Sequence, residues 1–121
     1  MRTVVLALLL LPLTALAQYE DHPAQQELWE GMTNTAPAYE MLIACERDVA
    51  ANMVWQDVKQ LTASLVGNRR DIDIAIEMWR EARTQAQIEY HDVLEAMTRE
   101  PNGEVCNNLE DRVIRLFNQS V

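Results

Sequence analysis

The segment from Asn68 to Arg99, NRRDIDIAIEMWREARTQAQIEYHDVLEAMTR, decides the fold. Its apolar residues Ile72, Ala75/Ile76, Trp79, Ala82, Ala86, Tyr90, Val93 and Met97 recur at spacings of three and four over about eight turns, the pattern of one long amphipathic helix. Alone in water such a helix is marginal, so its apolar stripe requires partner helices. Asn68 reads as its N-cap, and Asp71 and Asp73 put acids in the first turn, where they complement the helix macrodipole.

Immediately upstream, Thr35 to Val66 predicts a first long helix, with Thr35 as N-cap, Pro37 in the first turn and Gly67 as the C′ stop. Tyr39, Leu42/Ile43, Val49/Ala50, Met53/Val54, Val58, Leu61 and Leu65 make its core stripe. A link as short as Gly67-Asn68 makes the two helices antiparallel neighbours. Further upstream, residues 18–34 read as a leader holding a short helix, Ala24 to Met32, with Leu28, Trp29 and Met32 on one side. Gly31 or the Thr33-Asn34-Thr35 cluster would end that helix. Downstream, Glu100-Pro101-Asn102-Gly103 breaks the pattern, and a third helix follows over about Glu104 to Asn118. With three Gly and four Pro in 121 residues, and no alternating Val/Ile/Thr run, an all-β fold lacks both its strands and its turns. The reading is an all-α domain over 35–121: a small up-down-up bundle of two long antiparallel helices and a C-terminal helix, with the short N-terminal helix beside it.

The first residues read as an address. Arg2, the apolar run Val4 to Leu11 and Ala15-Leu16-Ala17 match a signal peptide over 1–17, cleaved after Ala17. The apolar run is too short for a membrane span, so none is expected after its removal. Nineteen acids against ten bases give a net charge of −9, and loss of Arg2 takes it one unit further. A field of that sign repels the phosphates of nucleic acids and anionic membranes, and it suits a soluble exported protein. Lys59 is the sole lysine beside nine arginines, a bias associated with GC-rich bacterial genomes, so the compartment expected is a bacterial periplasm or the medium.

Two cysteines in an exported chain predict a Cys45–Cys106 disulfide. In the expected bundle the first and last helices run parallel and start at one end, which sets the two residues at similar heights. They are too far apart in sequence for a Cys-x-x-Cys redox motif or a haem attachment site.

Catalytic and metal chemistry find little support. Ile88 stands where a diiron bundle would place the Glu of Glu-x-x-His before His91. The acids Asp71, Asp73, Glu77 and Glu81 lack the Gly and terminal Glu of a calcium loop. Beyond the signal, Ser64 and Ser120 are the only serines, and neither has a His nearby in sequence. No cofactor and no enzymatic activity are expected. What remains is interaction: Trp55, Ile74, Met78 and Ile88 lie off the main stripes, and Asp73, Glu77 and Glu81 could rim them as a partner patch. The sequence therefore predicts an exported interaction module, acting as adaptor, inhibitor, chaperone or small subunit of an envelope complex. Its partner would be another protein or a second copy of itself. The alternative is a small-ligand or metal carrier using the bundle interior.

Overall fold

In the computed structural model, which describes residues 23–66 and 69–119, the chain does not break at Thr33-Asn34-Thr35. Helix α1 runs without interruption over Pro23–Ala44. The two threonines that read as stop and cap turn their hydroxyls back along the helix instead. Thr33 Oγ1 donates to the Glu30 carbonyl at 3.1 Å, and Thr35 Oγ1 donates to the Gly31 carbonyl at 2.6 Å. Pro37 therefore sits inside the helix, where it has no N–H for the Thr33 carbonyl and costs about 3 kcal/mol. One continuous buried face outweighs that cost: Leu28, Trp29, Met32, Ala36 and Leu42 are all in the core. Gly31 serves contact rather than termination, since a Cβ there would meet Leu61 Cδ2 at 2.5 Å.

The chain breaks where neither Gly nor Pro marks it, at Cys45-Glu46-Arg47. The Arg47 N–H donates to the Leu42 carbonyl at 2.9 Å and the Glu46 N–H to the Ile43 carbonyl at 3.0 Å, the paired bonds of a Schellman termination. Glu46 takes the left-handed position with φ 58°, which usually falls to glycine. Replacing Glu46→Gly is expected to raise the unfolding free energy by about 1 kcal/mol, the strain of a side chain in that region. A chemical-denaturation midpoint unchanged or lowered in the variant would refute it.

Helix α2 follows over Asp48–Leu65, α3 over Arg69–Glu89, α4 over His91–Arg99 and α5 over Glu104–Gln119. The deciding segment is thus helical along its described length, with one interruption at Tyr90. Even there the hydrogen bonding continues, from the Tyr90 N–H to Ala86 O and from the Leu94 N–H to Tyr90 O, each at 2.9 Å. The described residues form no strand. The expected signal peptide, residues 18–22 of the expected leader and the predicted Gly67-Asn68 cap lie outside the described residues.

Helix α1, half of which was assigned to a leader, is the spine. It packs against α2 and α3 and also touches α4 and α5, while α5 packs on α2. Its N-terminal half shares one core cluster with Val58 of α2 and with Ala75, Met78, Trp79, Ala82 and Ala86 of α3. Its C-terminal end shares a second, Leu42 with Ala50, Ala51, Val54 and Val113. The alanines at 75, 82 and 86 are the narrow side of α3 that lets α1 lie close. The break at 45–47 also resets the helical phase, so Ile43 and Val49, both placed in the core stripe by spacing, are exposed.

Candidate functional site

The disulfide joins Cys45 to Cys106 with a Cα–Cα distance of 5.6 Å, inside the ordinary range. Its placement differs from the expected parallel-helix geometry: Cys45 follows the last residue of α1, and Cys106 lies in the first turn of α5. Both sulfur-bearing residues are 1% exposed and pack with Met97, Met41 and Leu109. Arg47 reinforces the staple from outside. Its Nη1 donates to Glu110 Oε1 at 3.1 Å, and its Nη2 donates to Asn107 Oδ1 at 2.6 Å and to the Pro101 carbonyl at 3.0 Å. One guanidinium thus ties the α1–α2 turn to the loop before α5 and to its first two turns. Bonded and buried, the two cysteines have a structural role, and a disulfide of this kind fits an oxidising compartment outside the cytoplasm.

The residues chosen from sequence as a partner patch do not make one surface. Met78 is 0% exposed at the centre of the first core cluster, and Ile74 is half-buried against it. Ile88 is 74% exposed, near the far end of α3. Asp73 and Glu77 are exposed, and Glu77 Oε1 accepts from Arg80 at 2.8 Å. Glu81 is half-buried with one carboxylate oxygen enclosed and without a hydrogen-bond partner. Burial, and secondly the Glu77 carboxylate, hold its carboxyl above the ordinary glutamate range. Its folded pKa exceeds the unfolded one, so the stability linked to its protonated form is present at low pH and is lost as pH rises through that raised value.

Trp55 belongs to a different feature. Helices α2 and α3 each pack along α1 but, among the described residues, meet each other little, and a trough of about 430 Å³ opens between them. Met32 of α1 contributes to its floor. Trp55, Lys59 and Ala63 line it from α2, and Ile72, Ile76 and Trp79 from α3. The two indoles lie 5.6 Å apart at a tilt of 32°. Trp79 also meets Tyr39 edge-on at 5.4 Å, which fixes its plane. Lys59 Nζ stands 5.9 Å from the Trp55 ring centroid, within cation–π range. Ile72 and Ile76, 47% and 52% exposed, form the α3 lip. Such a volume lies in the range of small-molecule sites, roughly 300–1,000 Å³.

A second depression of about 300 Å³ shares Ile76 and Trp79 with the trough and continues along α3 past Arg80, Arg83, Thr84 and Gln87. Beneath it lies the most buried charge among the described residues. Glu40, 7% exposed, accepts from Arg83 Nε and, at 3.0 Å, from Gln87 Nε2, while the Arg83 guanidinium stacks 5.0 Å from the Tyr39 ring.

Spacing assigned Ile72 and Ile76 to the core stripe along with Trp79; Trp79 is buried there, but the two isoleucines are exposed, so the trough was missed. The available signal was the run Ile72-Asp73-Ile74-Ala75-Ile76, whose isoleucines cannot all face one neighbour on a helix. Among the described residues no group of three or more His, Cys, Asp and Glu side chains could hold a metal ion, and no helix is long and apolar enough to cross a membrane. No protein-family model, curated protein or solved structure matches the chain.

Proposed function

We propose that the protein is a non-enzymatic binding module, exported to a bacterial periplasm by the signal at 1–17, that carries a small apolar ligand in the α2–α3 trough. One observation carries this reading: three helices converge on a ligand-sized trough whose lining among the described residues, apart from Lys59 and Thr62, is apolar and includes two tryptophans. Desolvation of that lining supplies the affinity. The indoles also supply the assay. Titration of the 1-alkanols from hexanol to decanol, followed by tryptophan fluorescence, is expected to show affinity rising about fourfold per methylene, the value of about 0.8 kcal/mol for a buried CH₂. A flat response across the series would refute the carrier.

A protein partner is the second reading, and the exposed lip favours it. Ile72 and Ile76 extend the trough to the surface, where the apolar face of a partner helix could dock. Native mass spectrometry of the protein taken gently from its own compartment separates the two: a small added mass supports the carrier, and a second polypeptide lost in the Ile76→Glu variant supports the partner.

A further inference from the structure

We infer that the ligand of the trough is a single-chain amphiphile with an anionic head, an alkanoate, its carboxylate on Lys59 and its chain between Trp55 and Trp79. This rests on the carrier reading and adds the chemistry of the head group. The argument begins with charge. The chain has 19 acids against 10 bases, yet among the described residues no carboxylate lines the trough. Among the described residues its one charged lining residue is Lys59, the sole lysine of the protein. Among the described residues Lys59 has no carboxylate partner, and its described contact is with the Trp55 ring.

The adjoining depression offers no competing cation. Arg80 and Arg83 line it, each already paired, with Glu77 and with Glu40. Their charge is matched by their own carboxylates, so among the described residues Lys59 is the lining cation left to receive an anionic head. An ammonium at the rim of an apolar trough suits a molecule whose charge is at one end and whose body is hydrocarbon. The net negative charge of the whole chain does not oppose this at contact range, because salt screens distant charges and leaves the nearest one dominant.

A charge swap tests it. Decanoate and decyltrimethylammonium, each below its micelle concentration, are titrated into the mature protein and into Lys59→Glu and Lys59→Gln, with tryptophan fluorescence and calorimetry as readouts. Lys59 is exposed, so neither substitution touches the core. The wild type is expected to favour decanoate by about fivefold, the upper end for one exposed ion pair, with the preference lost in Lys59→Gln and reversed in Lys59→Glu. Equal binding of both amphiphiles, or a preference untouched by the swap, overturns the head-group inference while 1-decanol binding upholds the carrier. Failure of all three probes to bind overturns both. Competition by decanoate with 1-decanol places the two in one trough, and its absence also overturns the inference.

Discussion

The Cys45→Ala/Cys106→Ala double variant is expected to lose about 4 kcal/mol of unfolding free energy, the chain-entropy value for a closed loop of about sixty residues. For a domain of this size that corresponds to a fall in melting temperature of roughly 15 °C or more. The double variant is the appropriate comparison because the bond is shielded, both cysteines being 1% exposed, and a reductant reaches it only through opening. The loss is concentrated at one end of the molecule. α5 packs on α2 and α1 through Val113, Leu109 and Phe117, a smaller set than the cluster under the N-terminal half of α1. Hydrogen exchange in the variant should therefore rise first in α5 and in the 45–47 turn. Stability within 1 kcal/mol of the wild type would refute the expectation, and would mean that the Arg47 clamp to Pro101, Asn107 and Glu110 holds α5 alone.

Met78→Ala and Ile88→Ala make the second test, and the contrast between them matters more than either value. Met78 is 0% exposed and sits between α1 and α3, so truncation leaves a cavity under the spine and is expected to cost about 3 kcal/mol. Ile88, 74% exposed, should change stability by less than about 0.5 kcal/mol. Equal costs, read from denaturation midpoints, would show that α3 presents a different face to α1 from the one described.

That pair also shows where reading the sequence stops. Helical content, the turn at 100–103 and the cysteine pair were legible because each rests on a local signal: periodicity, a Pro with an Asn-Gly pair, and an even cysteine count. The rotation of α3 was not legible. Periodicity says that a helix has an apolar face, but α3 carries isoleucines on two, and only the path of α1 decides that Met78 turns in while Ile72 and Ile76 turn out. The path of α1 was itself hidden, because Gly31 and Thr33 read as local stop signals and Thr35 with Pro37 as a helix start, all overridden by tertiary burial of Leu28, Trp29, Met32 and Ala36. Conversely, the real break at Glu46 has no local signal, since it rests on a side chain in a conformation that glycine normally takes. Of the candidate site, Trp55 was found for the wrong neighbours, and Lys59 drew notice only for its rarity.

The position of the two cysteines sets a schedule for the newborn chain. Emerging amino-terminus first, it presents α1 with its apolar side before α2, α3, α4 or α5 exists to cover it, and the Cys45 thiol appears with that unprotected surface. The thiol then waits through α2, α3 and α4 for Cys106, which comes with the last helix. During that interval every available oxidation partner is a foreign thiol. Once Cys106 arrives only one intramolecular pairing is possible, so no shuffling among isomers is needed, and closure seals both sulfurs away from further exchange. Early pairing between chains, rather than mispairing within one, is thus the error to which this architecture is open, and a delay in oxidation until the chain is complete would favour its yield.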